Sequence, residues 1–146
     1  DHFLPYSFSG TVVHGFGRGG KQLNCPTANL DDSAVAALPS NLGQGVYWGV
    51  GRVRGKKNGR EGEEDDEMGF VMSIGYNPHF GNEKKTMEVH FLKTLDDFYG
   101  SVVEGTIKGF LREMMPFNGI DELVAAIRKD KEDALRLLTK EHKSKV

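Results

Sequence analysis

Short apolar runs separated by glycine recur along most of this chain, and their period is two. Residues 10–14, 45–53, 69–75, 86–92 and 101–111 are rich in Val, Ile, Phe and Tyr and are bounded by turn-forming residues, the pattern of half-buried strands. Within 86–92 the alternation assigns Met87, Val89 and Phe91 to one face and Glu88 and His90 to the other. Helical spacing appears only near the end. Ile120, Leu123, Val124 and Ile127 form one stripe, and Ala134, Leu135 and Leu138 continue it after a polar break at Asp130 and Lys131. Asn118 followed by Asp121 resembles a capping box, and Asp130 is a candidate cap for a second helix. Many short strands with regular glycine punctuation predict a mainly β chain, a closed barrel or sandwich in preference to an α/β sheet, with one or two helices after it.

Composition narrows the function more than the fold. At 146 residues the chain is expected to be one domain (residues 1–146), with the β part over about 8–112 and the helical segment over about 119–140. The net charge, 19 − 21 = −2, argues against a partner bound by broad phosphate neutralisation, so no nucleic acid is expected. No apolar run has the length of a bilayer span and no signal peptide is visible, so no membrane partner is expected either. The single cysteine, Cys25, forbids an internal disulfide and suits a reducing compartment; a cytoplasmic monomer is the expectation. Residues 52–67 carry five basic residues followed by six acidic ones. This segregation reads as a solvated, mobile hairpin tip, since the ligand spacing of an EF-hand is missing.

Candidate chemistry concentrates in residues 15–29. Gly15, Gly17, Gly19 and Gly20 surround Arg18 and precede Lys21, as expected where backbone N–H groups must crowd around phosphate oxygens. Thr27 and Asn29 stand two apart, so in an extended segment both offer neutral oxygens on one side, a donor set suited to Mg²⁺. Two familiar phosphate motifs do not fit. The glycines run into Asn24-Cys25-Pro26 instead of opening a helix, and Gln22 occupies the hydroxyl position of a P-loop. A glycine-rich hairpin before a proline-stiffened strand explains the same residues without chemistry. Glu88, facing away from the apolar side of its strand, is a candidate general base; the plain alternative is an exposed strand glutamate.

Taken together these residues resemble the riboflavin kinase family. The resemblance is carried by Gly-Phe-Gly-Arg-Gly at 15–19, Lys-Gln-Leu at 21–23, Pro-Thr-Ala-Asn at 26–29 and Gly-Val-Tyr-Trp-Gly at 45–49. It continues through Ser-Ile-Gly-Tyr-Asn-Pro at 73–78, Lys-Lys-Thr-Met-Glu-Val-His at 84–90, Asp-Phe-Tyr-Gly at 97–100 and Gly-Phe-Leu-Arg at 109–112. It implies a six-stranded antiparallel Greek-key β-barrel with C-terminal helices. It also implies transfer of the ATP γ-phosphoryl group to the ribityl 5′-hydroxyl of riboflavin, giving FMN and ADP. The single-function eukaryotic type is expected, because no adenylyltransferase domain precedes Asp1.

By the same resemblance Gly15, Gly17, Arg18, Gly19 and Lys21 close over the nucleotide phosphates. Thr27 and Asn29 hold a divalent cation, Mg²⁺ first and Zn²⁺ or Mn²⁺ as alternatives, and Glu88 is the catalytic base. Phe91, Lys93 and Tyr99 fall at nucleotide contacts, and Arg112, Met115 and Glu122 at flavin contacts. The chain departs from the family pattern at Asn24-Cys25, at Gly20, at Met114-Met115 and in the length of 52–67. A non-catalytic flavin- or nucleotide-binding barrel and a kinase of another small alcohol are the alternative functions.

Overall fold

The computed structural model describes residues 4–13, 28–39, 42–54, 67–76, 85–92, 100–116 and 118–145. Six strands, β1 (Tyr6–Val13), β2 (Ala28–Leu30), β3 (Gly45–Arg54), β4 (Met68–Tyr76), β5 (Lys85–Phe91) and β6 (Val102–Arg112), close into a barrel in the order β1-β2-β5-β4-β3-β6. Every neighbouring pair is antiparallel. The barrel closes through the short strand β2, which joins β1 to β5. A short helix, α1 (Asp32–Ala36), follows β2, and one long helix, α2 (Ile120–Lys145), follows β6.

The alternation expected in the sequence builds the barrel interior. Phe70, Met72, Ile74, Met87, Val89, Val103 and Ile107 are fully buried there. Phe70 sits at the centre, edge-on to Phe8 and Phe91 with ring centroids 5.8 and 6.2 Å away. Its ring has room because glycines face it. A Cβ on Gly49 would stand 2.8 Å from Phe70 Cζ and 2.0 Å from the Thr106 carbonyl oxygen; one on Gly105 would stand 3.1 Å from Phe70 Cε2. Small and large residues thus alternate to fill a narrow barrel. Burying a side chain of this size contributes about 2–3 kcal/mol.

The outer face of the barrel carries a second, smaller core under α2, formed by Val46, Val71 and Ala134 with Trp48, Leu92 and Leu111 packed against it. Gly69 lets the helix close in, since a Cβ there would meet Leu138 Cδ1 at 2.5 Å. The helix is continuous through the polar break that the sequence reading takes for a boundary. Asp130 caps nothing. It lies mid-helix, 3% exposed, with both carboxylate oxygens on Arg112 at the end of β6. Lys108 of β6 pairs with Glu141 further along the helix. At the helix start the carboxylate accepting a backbone N–H, that of Asn118, belongs to Glu122 and not to Asp121.

Between β3 and β4 the charged residues 55–66 lie outside the described residues. The flanking pairs Arg52–Glu67 at 3.5 Å and Arg54–Glu104 at 2.9 Å are exposed, and such pairs contribute at most about 1 kcal/mol each. Among the described residues no helix is long and apolar enough to cross a membrane.

Candidate active site

Strand register, which a single sequence does not reveal, makes neighbours of two candidate residues. Asn29 of β2 is the direct partner of Glu88 of β5, and Glu88 is in turn the partner of Ser73 of β4. On the flanking strands Val13 pairs with Asn29, Ser73 with Val46, and Val46 with Arg112. Residues directly opposite in antiparallel strands share a face, with Cα atoms about 4.5–5.5 Å apart. A lateral row therefore crosses the outer face of the barrel: Val13, Asn29, Glu88, Ser73, Val46, Arg112. Glu88 to Arg112 is three strand spacings, roughly 14 Å.

The two ends of this row differ. At the Asn29 end β1 stops at Val13 and β2 starts at Ala28, so the connecting residues 14–27 leave from and return to the side of Asn29. Thr27 immediately precedes β2. Gly100, which follows residues 93–99 in sequence, donates its N–H to the Val12 carbonyl at 2.9 Å. Gly15, Gly17, Arg18, Gly19, Lys21, Thr27, Lys93 and Tyr99 themselves lie outside the described residues. Of the described residues that border these segments, Val13, Ala28 and Gly100 stand at this flank, while Leu92 packs beneath α2.

At the other end α2 and residues 113–116 cover the row. Arg112 donates from Nε and Nη2 to Asp130, both at 2.8 Å, and from Nη1 to the Glu113 carbonyl at 2.9 Å. This holds the chain after β6 against the barrel, where Met114 reaches back over β4. Ser73 Oγ lies 3.8 Å from Met114 Sδ. Met114 and Met115 are both close to half exposed. Of the residues expected at flavin contacts, Arg112 is committed to Asp130, Met115 faces solvent, and exposed Glu122 accepts the Asn118 N–H at the start of α2.

Two other residues of β5, Phe91 and His90, are buried. Phe91 is 4% exposed and lies in the barrel interior against Phe70, on the face opposite Glu88. Its ring belongs to the core. His90 shares the outer face with Glu88 but is buried beneath α2, 7% exposed. Burial, with the Lys131 ammonium adding to it, pushes the His90 imidazole down to about 4. The folded protein therefore holds His90 neutral at neutral pH, while the unfolded chain protonates it near 6.5. The unfolded state binds the extra proton between those values, so this contribution is complete above about 6.5 and is lost as pH falls toward 4. Urea titrations should show roughly 3 kcal/mol less stability at pH 4 from this group alone. The slope should flatten in His90→Leu, and an unchanged slope would count against the assignment.

Among the described residues no group of three or more His, Cys, Asp or Glu side chains is placed to hold a metal. What the row offers is the Asn29 amide beside the Glu88 carboxylate. The amide oxygen is a hard neutral donor, and with so few protein ligands a cation would take most of its shell from water and phosphate, as Mg²⁺ does. The donor set therefore fits a magnesium-type ion. Ser73 and Asp130 are absent from the sequence-derived candidates. The alternation of Ser73 with buried Met72 and Ile74 is a signal for its outward face; the amphipathic stripe gives none for Asp130.

The family model described as Flavokinase: Riboflavin kinase matches residues 3–138. A human riboflavin kinase is 41% identical over 136 residues, covering 92% of this chain and 82% of the human protein. Among solved structures, riboflavin kinase from Trypanosoma brucei superposes with a TM-score of 0.74 at 31% identity, covering 96% of this chain and 83% of that one. A macrolide-efflux protein from Streptococcus pneumoniae superposes with a TM-score of 0.64 at 30% identity, covering 88% of this chain and 38% of that one.

Proposed function

The chain belongs to the riboflavin kinase family and phosphorylates riboflavin with ATP to give FMN, and on that premise we propose that the transfer takes place over the row Asn29–Glu88–Ser73. The observation that carries the proposal is the register pair Asn29–Glu88. It supports a base next to an oxygen ligand on the outer face, beside the segment that contains the glycines.

Phosphoryl transfer asks the protein for in-line positioning and charge stabilisation more than for covalent chemistry. Glu88 accepts a hydrogen bond from the ribityl 5′-hydroxyl and directs its oxygen at the γ-phosphorus. The O5′–P bond forms as the bond from the γ-phosphorus to the bridging oxygen breaks, ADP leaves, and the hydroxyl proton passes to the Glu88 carboxylate. Asn29, with Thr27, holds the divalent cation. When bound, that ion offsets charge on the β- and γ-phosphates. Gly15, Gly17, Gly19 and Gly20 supply N–H groups to the same phosphates, with Arg18 and Lys21 adding positive charge. Riboflavin lies toward Ser73 and Met114, ATP toward Val13 and Asn29.

The reading is tested at Asn29. Asn29→Ala should raise the Mg²⁺ concentration for half-maximal FMN formation several-fold, because one protein ligand of a weakly held ion is lost. The riboflavin KM at saturating Mg²⁺ should stay near the wild-type value. A Mg²⁺ titration that overlays the wild type would remove Asn29 from the cation site.

A further inference from the structure

The outer face of β4 is divided along its length. Its outward residues are Gly69, Val71, Ser73 and Gly75, which alternate with buried Met68, Phe70, Met72 and Ile74. Gly69 and Val71 lie under α2, against Leu138 and Ala134. Ser73 and Gly75 lie beyond that cover. Met114 is the side chain that reaches them: its Sδ is 3.8 Å from Ser73 Oγ, and its Cε would be 3.4 Å from a Cβ on Gly75. A thioether is a weak acceptor, so the Ser73 hydroxyl has no strong partner among the described residues. It is the polar group on a strip otherwise made of glycine and valine. It stands one strand spacing from Glu88, on the side away from Asn29.

That position matters for the acceptor's chemistry. Riboflavin presents its reacting primary hydroxyl at the end of a polyol chain with secondary hydroxyls along it and a flat apolar ring at the far end. With the primary hydroxyl at Glu88 and the phosphates on the Asn29 side, the chain can only run the other way, over Ser73. Beyond Ser73 the exposed Met114 thioether suits the ring. A serine hydroxyl both donates and accepts, so it can bond a secondary hydroxyl in either sense.

We propose that Ser73 determines acceptor specificity by hydrogen-bonding a secondary hydroxyl of the ribityl chain, so that the terminal hydroxyl is held within reach of Glu88. The proposal rests on the placement of the transfer site given above. A neutral hydrogen bond of this kind corresponds to roughly 3- to 10-fold in binding or rate.

The test compares riboflavin with the flavin whose N10 substituent is a plain 5-hydroxypentyl chain. That analogue keeps the primary hydroxyl and lacks the secondary ones. Ser73→Ala should lower kcat/KM for riboflavin roughly 3- to 10-fold and leave that for the analogue within twofold, with the KM for ATP unchanged. The wild-type preference for riboflavin should shrink by the same factor, and Ser73→Thr, which keeps the hydroxyl, should restore it. Where turnover of the analogue is too slow to follow, dissociation constants from quenching of flavin fluorescence give the same comparison. An equal loss with both acceptors would mark Ser73 as structural, and no loss with either would mark it as a bystander; both overturn the proposal. Glu88→Gln assayed alongside separates the two levels. If that variant keeps its turnover, the placement of the site is wrong. If it is inactive while the Ser73→Ala preference is unchanged, only the role of Ser73 is wrong.

Discussion

Glu88→Gln should lower the kcat for FMN formation by about 10²–10⁴-fold, the usual contribution of a positioned general base. The size of the effect follows from what the substitution keeps. Glutamine has nearly the same shape as glutamate and can still accept a hydrogen bond from the ribityl hydroxyl, so riboflavin should remain bound. It cannot take the proton that the hydroxyl must shed as the O5′–P bond forms. The loss should therefore appear in kcat, with KM for both substrates within a few-fold of wild type. Stability should hardly change, because the residues of β5 that build the core are Met87, Val89 and Phe91, on the other face of the strand. Steady-state kinetics with FMN quantified by chromatography, beside a urea titration, checks both halves. A Glu88→Gln enzyme with near-wild-type turnover would return Glu88 to the role of an ordinary strand glutamate.

How far the sequence alone reaches is clear from β5. A period of two between residues 86 and 92 places Met87, Val89 and Phe91 inside and Glu88 outside, and the structure agrees. The alternation carries this because interior and exterior differ in polarity along every barrel strand. It carries nothing about which strands are neighbours. Asn29 lies in a strand of three residues, Ala28–Leu30, too short for any period to register, and its pairing with Glu88 depends on long-range register. The resemblance to riboflavin kinases brought the two together; periodicity could not. Periodicity also misreads residues whose partners are distant. A polar Asp130 inside an apolar stripe looks like a helix end until Arg112, from another element, neutralises it. For Phe91 the inward face is legible in the alternation, whereas the expected nucleotide contact comes from the resemblance alone.

Arg112 and Asp130 should be unequal in what their removal costs, with Arg112→Met the more damaging. The pair is bidentate and spans β6 and α2, with the Asp130 side chain 5% exposed and the Arg112 side chain 22% exposed. Removing Arg112 leaves a carboxylate in the middle of a docked helix with its cation gone and little water within reach. Losses of about 3–5 kcal/mol are typical when one partner of a buried pair is deleted. Removing the charge at Asp130 leaves a guanidinium at the end of a strand, already partly in water and already bonded to the Glu113 carbonyl. Asp130→Asn, which also keeps one acceptor, should cost only about 1–2 kcal/mol. The double variant Arg112→Met with Asp130→Leu should recover most of the stability, since apolar residues of similar volume commonly replace a buried ion pair at little cost. Urea midpoints of the four proteins measure this directly, and equal losses in the two single variants would contradict the asymmetry. The same double variant separates anchoring from substrate contact. If Arg112 serves only to hold α2 and residues 113–116 in place, restoring the packing should restore the riboflavin KM as well. If its guanidinium also touches the flavin, as the resemblance implies, the double variant should be stable and still show a raised riboflavin KM with an unchanged KM for ATP.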